Sequence, residues 1–236
     1  MNALSLGAAD GALIGGQPVT MIITMALLSL IPFVVLLMTS FVKISVVLSI
    51  LKSAIGAPQI PPGQVITGLA LILTIYVMAP VGERMLAAAQ PLFDKNATPA
   101  KILGDASVSQ LTEAMSLSKE PLREFMLKHA TPKDRAVFLN LARRMREPVE
   151  RPAMLERDFL VLTPAFLTSE LTRAFRIGFL LFVPFLIVDM VIANLLLALG
   201  MHMLSPTTVS LPFKLLLFVL ADGWHLLLSG LVQSYV

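Results

Sequence analysis

Ile177-Gly178-Phe179-Leu180-Leu181-Phe182-Val183-Pro184-Phe185-Leu186-Ile187-Val188-Asp189-Met190-Val191-Ile192-Ala193-Asn194-Leu195-Leu196-Leu197-Ala198-Leu199 carries a single charge, on Asp189. An apolar run of this length can span the ~30 Å hydrocarbon core of a bilayer as a helix. Three further apolar segments accompany it: Val19 to Leu51, Val65 to Gly82 and Val209 to Val232. The chain is 56% hydrophobic and only 14% charged, with a mean hydropathy of +0.83. A soluble domain usually has about 25% charged residues, so these numbers indicate an all-α membrane protein.

The charges are concentrated. Asp10, Lys43, Lys52, Glu83 and Arg84 precede Asp94, and Asp189, Lys214 and Asp222 follow Arg176; all the others lie between. Three regions follow: an N-terminal apolar helical hairpin over 1–93, a polar helical domain over 94–163, and a C-terminal apolar hairpin over 164–236. Gly56-Ala57-Pro58-Gln59-Ile60-Pro61-Pro62-Gly63 turns the first hairpin and Gly200-Met201-His202-Met203-Leu204-Ser205-Pro206 the second, both dense in turn formers. A continuous helix over Val19 to Leu51 would reach roughly 50 Å, so it must tilt, kink at Pro32 or leave the bilayer.

The polar middle is helical too. Thr131-Pro132-Lys133-Asp134 has the N-cap, first-position proline and third-position acid of a helix start. Arg143, Arg144 and Arg146 suit the other end, where the macrodipole favours cations. A shorter helix is expected over Ser118 to His129. Glu147 to Asp158 is a charged linker, and Thr163-Pro164 starts the long helix that enters the third apolar segment.

No Lys or Arg precedes Lys43, so no cleaved signal peptide is expected. The positive-inside rule, applied to Lys52, puts the N-terminus and central domain in the periplasm and both short hairpin loops inside. Arg173 and Arg176 then flank the third segment on the outer side, against the rule.

Lys43, Asp189 and Lys214 lie deep in apolar sequence, where each charge costs about 2.5–3.5 kcal/mol on insertion scales. Lys43 either snorkels toward Leu51, or one lysine pairs with Asp189 while the other meets an acid of a partner subunit. Pro32, Pro184 and Pro212, each followed by Phe, kink their helices for packing. Met201 and Met203 stand in the second turn, where soft, conformable side chains suit an apolar constriction. Trp224 and Tyr235 suit interface anchoring. Ser40 and Ser45 suit helix packing. The histidines His129, His202 and His225 lack metal-ligand spacing, there is no cysteine, and neither a nucleophile elbow nor a phosphate loop occurs. No catalysis, metal, cofactor or nucleic acid is therefore expected.

Two blocks resemble the FliP/SctR family. The first is Thr39-Ser40-Phe41-Val42-Lys43-Ile44 with Val47-Leu48-Ser49, Pro61-Pro62, Gly68-Leu69-Ala70-Leu71 and Val77-Met78-Ala79-Pro80-Val81. The second runs from Pro164-Ala165-Phe166 and Ser169-Glu170-Leu171 through Ala174-Phe175, Ile177-Gly178-Phe179 and Pro184-Phe185-Leu186-Ile187-Val188-Asp189. It continues with Leu199-Gly200-Met201, Pro212-Phe213-Lys214 and Asp222-Gly223-Trp224.

The resemblance implies the export gate of a type III secretion system, injectisome or flagellar, in the bacterial inner membrane. Several copies would wind, with two small membrane proteins, into a helical pore that conducts unfolded secreted polypeptides. It also implies that much of the gate sits above the membrane plane, so the apolar hairpins need not cross the bilayer as ordinary spans. The family's methionine gasket maps onto Met201 and Met203, with His202 interrupting its usual three adjacent methionines. The N-terminus and short C-terminus point to the injectisome branch, and Pro121-Leu122-Arg123-Glu124-Phe125-Met126-Leu127 to the flagellar one. The reading from another class is a proton-coupled secondary transporter that uses Asp189 as its coupling carboxylate.

Overall fold

The computed structural model describes residues 22, 25, 26, 29, 30, 33, 36–57, 61–89, 118–146 and 154–236. Pro32, residues 94–117 of the central region and most of its linker (147–153) lie outside the described residues. The contacts divide the chain into two units, Met1–Leu37 and Met38–Val236. In the first, the described residues are helical. In the second, the elements are α1 (Phe41–Ile55), α2 (Gly63–Ala89), α3 (118–129), α4 (Pro132–Arg144), α5 (Phe159–Ala198), α6 (Pro206–Leu220) and α7 (Gly223–Gln233). Every regular element among the described residues is helical, as the composition implies.

The first apolar segment is interrupted at residues 38–40, and α1 begins at Phe41. Here the Thr39 hydroxyl accepts from the Phe41 N–H at 3.3 Å. The buried face of α1 carries Ile44, Val47, Leu48, Leu51 and Ile55, the three- and four-residue steps of an amphipathic helix. On its other side Ser45, Ser49 and Ser53 return their hydroxyls to carbonyls one turn back, at 3.1, 2.7 and 3.0 Å. They thereby satisfy themselves within the helix.

Helix α1 lies along α5, the axis of the unit. They approach closely at Gly178, where an added Cβ would stand 2.3 Å from Ile50 Cδ1. A side chain there would require Ile50 to move. Forty residues make α5 about 60 Å long, twice a hydrocarbon core. Its first half packs against α1 and α4, and its second half carries the apolar run to the α5–α6 turn. The core joins residues of every described region of this unit, including Phe125 and Met126 of α3.

Three expectations change. The long helix starts at Phe159, not at Thr163-Pro164. Val161 and Leu162 are fully buried, so helix formation there brings apolar area out of water. The Asp158 carbonyl accepts from both their N–H groups, at 2.9 and 2.8 Å. Pro164 therefore falls inside the helix. The carbonyl it leaves without a donor is that of Leu160, an exposed residue.

The fourth apolar segment is two helices, bent by 61° between Leu220 and Gly223. Asp222 adopts φ 49°, ψ 44° at the bend, a conformation that Asp tolerates better than most residues. The Asp222-Gly223 pair is a turn signal that the apolar surroundings obscure.

The third change concerns Lys43. Its acid is Glu170 of the same chain, at 3.5 Å, and neither side chain is more than 1% exposed. Lys43 does not snorkel.

Among the described residues two helices, α2 and α5, are long and apolar enough to cross a membrane, and three spans result if the bent α6–α7 pair counts as one. Pro80, Pro184 and Pro212 lie inside α2, α5 and α6.

Candidate functional site

Two buried polar clusters and one exposed turn stand out along α5. The first cluster lies toward its N-terminal half. The Glu170 carboxylate meets Lys43 from α1, accepts from Arg173 at 2.9 Å and accepts a hydrogen bond from the Tyr235 hydroxyl. Lys43 Nζ also stands 3.5 Å from the centre of the Tyr235 ring, a desolvated cation–π contact. One carboxylate thus serves two cations and a phenol. It joins α1, α5 and the residues after α7.

His129 at the end of α3 lies against this cluster. Its ring is 4.7 Å from that of Phe125 and 5.0 Å from that of Tyr235. Burial pushes its pKa down to about 4, with Lys43, Lys128 and Arg173 adding to the effect. Burial and Glu170 push the Tyr235 phenol well above its usual range. Both groups are neutral at pH 7.

The proton linkage follows. Unfolded His129 titrates near 6.5 and the folded residue near 4, so between these values the unfolded chain binds more protons. Stability held above pH 6.5 is lost as the pH falls, by about 2 kcal/mol at pH 5. The thermal midpoint in mild detergent should therefore drop between pH 7.5 and 5, and the His129→Phe variant should flatten the drop. An equally steep drop in that variant would contradict this origin.

Asp134 is held below its ordinary value, chiefly by the Ser169 hydroxyl. It contributes in the same direction, below pH 3.8. It accepts from Ser169 at 2.5 Å and from the Thr131 hydroxyl at 2.7 Å, while the Thr131 N–H donates to Ser169 at 2.9 Å. The cap legible in the sequence is therefore also a clasp between α4 and α5. In the sequence Ser169 stands out only as part of the family block Ser169-Glu170-Leu171.

The second cluster lies 19 residues further along α5, about 28 Å at helical rise. Asp189 receives Lys214 Nζ and the Ser210 hydroxyl, both at 2.5 Å and both from α6. Lys214 also donates to the carbonyl of Ala54 at 3.2 Å. That carbonyl is in the last turn of α1, the negative end of its dipole. Lys214 is thus the lysine that pairs with Asp189, and it ties α6 to both α1 and α5. Ser210 is fully buried.

The turn between α5 and α6 follows at once. Gly200 adopts φ 72°, where a side chain would be strained. Its N–H reaches Leu197 O at 3.1 Å, and the Met201 N–H reaches Leu196 O at 2.9 Å. This pair of bonds closes α5 as a Schellman motif. Ser205 and Pro206 then start α6. Between the two ends Met201 is 43% and Met203 99% exposed. His202 is exposed with them. Two methionines are therefore presented on a short, well-defined turn at the tip of a long hairpin. Among the described residues no cluster of His, Asp or Glu could hold a metal ion.

Residues 24–231 match the model of the FliP family. The chain belongs to that family. Among its FliP-family relatives is the "Hypersensitivity response secretion protein HrcR" of Ralstonia nicotianae, 40% identical over 92% of this chain and 96% of that protein. The "Yop proteins translocation protein R" of Yersinia pestis is 44% identical, with 92% of this chain and 96% of that protein covered. A "Flagellar biosynthetic protein FliP" from Caulobacter vibrioides is 43% identical over 99% of this chain and 82% of that protein. The membrane-length helices and the FliP-family membership together make this an inner-membrane protein.

The residues that carry the resemblance in sequence fall on the sites just described. Lys43 and Glu170 form the first cluster, Asp189 and Lys214 the second, Gly200 and Met201 the turn, and Asp222, Gly223 and Trp224 the bend.

Proposed function

We propose that this chain is a core subunit of a type III secretion export gate in the bacterial inner membrane. Several copies, with two small membrane proteins, form the pore through which unfolded secreted polypeptides cross. Residues 94–163 face the periplasm, flanked by the apolar hairpins 1–93 and 164–236. The observation that carries the reading is the FliP-family match over residues 24–231. The relatives named for secretion, translocation and flagellar biosynthesis support it at similar identity.

The geometry suits such a part. An uncovered α5 presents Phe175, Phe179, Leu186, Ile187, Met190 and Leu195 to its surroundings. Exposed apolar area on that scale belongs against other chains or lipid. Met201 and Met203 seal the lumen at rest, the polarizable thioethers conforming to whatever narrow gap the neighbouring copies leave. The two ion-paired clusters tie α1, α5 and α6 together, so that the turn is presented at a fixed place. No covalent step is assigned to the chain; its work is to shape and close a passage.

The rival reading makes Asp189 a proton-coupling carboxylate. Its oxygens are instead engaged by Lys214 and Ser210, which favours a structural clamp. Asp189→Ala leaves Lys214, only 3% exposed, without its anion. Loss of one partner of a buried pair costs about 3–5 kcal/mol, and less here because Asp189 is itself 24% exposed. The variant should yield several-fold less assembled complex in mild detergent. A normal yield of complex with altered proton coupling would favour the transporter.

A further inference from the structure

Two cavities of the unit meet at Ile177. One, of about 390 Å³, is lined by Ile177, Leu181, Pro184, Phe185 and Phe218, and by Leu227 across the α6–α7 bend. It is apolar and open on one side. The other, of about 320 Å³, is bordered by Lys43, Lys128, His129, Arg173, Arg176 and the same Ile177. One end of the combined groove is therefore hydrocarbon-like and the other cationic, and the change occurs where the apolar run of α5 begins.

We propose that this groove binds one anionic phospholipid. The phosphate lies among Arg173, Arg176 and Lys128, and one acyl chain runs past Ile177 into the pocket under the bend.

Charge supports the assignment. Lys43, Lys128, Arg173 and Arg176 border the polar end, and Glu170 is the carboxylate side chain among them. A carboxylate at Val236, whose oxygen receives Lys128 at 3.2 Å, would still leave a positive surplus. His129 is neutral and adds none. Arg176 is exposed, and no ion pair holds it among the described residues.

The geometry supports it as well. From Ile177 to Phe185 the groove follows α5 for about 12 Å, with Leu181, Pro184 and Phe185 along the way. Basic residues at the edge of a span recognise anionic headgroups through charge and hydrogen bonds. The positive-inside orientation offers no reason for Arg173 and Arg176 on the outer side, whereas a bound lipid phosphate does. The charges and the apolar pocket are needed together: a free anion would leave the pocket empty, and a lipid without net charge would leave the positive surplus uncompensated.

Trp224 is the chain's single tryptophan and packs edge-on against Phe218 at 5.3 Å. It is a reporter for the pocket. The full chain with its membrane partners, in lipid nanodiscs, is titrated with brominated phosphatidylglycerol or brominated phosphatidylcholine at matched mole fractions. The same titration on Trp224→Phe isolates this residue's fluorescence.

The brominated anionic lipid should quench Trp224 with at least about fivefold higher apparent affinity than the zwitterionic one, the effect of one surface charge. Arg176→Gln combined with Lys128→Gln should abolish that preference, and Arg176→Lys should keep it. Millimolar inorganic phosphate should leave the quenching unchanged. Equal quenching by both lipids would overturn the proposal, as would a preference that survives loss of both charges. Quenching abolished by inorganic phosphate would assign the basic end to a free anion instead. No quenching by either lipid would overturn it too. Each of these leaves the export-gate reading standing, because that reading rests on the FliP-family match.

Discussion

Glu170→Ala should destabilise the Met38–Val236 unit by about 3–5 kcal/mol, the usual effect of stranding one partner of a buried pair. Lys43 would keep its charge in a site where 1% of its side chain is exposed. Two more groups would lose their acceptor, Arg173 and the Tyr235 hydroxyl. In mild detergent the thermal midpoint should fall by about 6–20 °C for a chain of this size. Adding Lys43→Met should recover part of the loss, because an apolar replacement removes the uncompensated charge. A single variant with the wild-type midpoint would show that the cluster is not a structural clamp. A double variant less stable than the single one would show that Lys43 finds another anion.

Replacing both Met201 and Met203 with alanine should leave stability nearly unchanged, since Met203 is 99% and Met201 43% exposed. The assembled gate should nevertheless become several-fold leakier to small ions. Shortening the apolar side chains widens the constriction and lets water wet it. The measurement is ion flux across membranes that hold the assembled complex, with complex quantity checked in parallel. Membranes as tight as wild type, at equal complex, would reject the seal. Leakage that merely tracked loss of complex would assign the methionines to packing.

Most of the architecture was legible because helices announce themselves locally. The apolar runs placed α2 and the second half of α5, and the turn formers around Gly56 and Gly200 placed the hairpins. Thr131-Pro132-Lys133-Asp134 placed the start of α4 to the residue, and its hydrogen bonds are those expected of a cap. Boundaries set by tertiary burial were less visible. Phe159 to Leu162 follow a charged stretch and precede a proline, but Val161 and Leu162 are helical because their burial outweighs the proline's missing bond. The α6–α7 bend hid inside an apolar run for a related reason: hydropathy averages over Asp222-Gly223, while the backbone turns on it.

At the candidate site, the charged residues in apolar sequence were conspicuous and their partners were not. Lys43, Asp189 and Lys214 drew attention by their cost in an apolar setting. Glu170 did not by its charge, because it belongs to a charge-rich stretch where a carboxylate is ordinary; only the family block Ser169-Glu170-Leu171 marked it. Nothing local distinguishes it from Glu156, which is half-exposed and 3.8 Å from Arg135 at the surface. Lys43 and Glu170 are 127 residues apart, and their contact exists only because α1 lies along α5. The same holds for Tyr235. It resembles an interface anchor in sequence, but folds back over Lys43 and donates to Glu170. Ser210 carried no signal beyond its residue type, and Ser169 only its place in the family block. A more useful clue was available in Gly200, since a glycine directly after a long apolar helix marks a left-handed cap and so fixes where Met201 begins.

The central claim is that this FliP-family chain works as one of several copies in a heteromeric gate. Native mass spectrometry tests it most directly, on tagged full-length chain co-expressed with its neighbouring genes and released in mild detergent. The account predicts one large complex with several copies of this chain and two kinds of small hydrophobic partner. A lone monomer or symmetric dimer, free of partners, would contradict it.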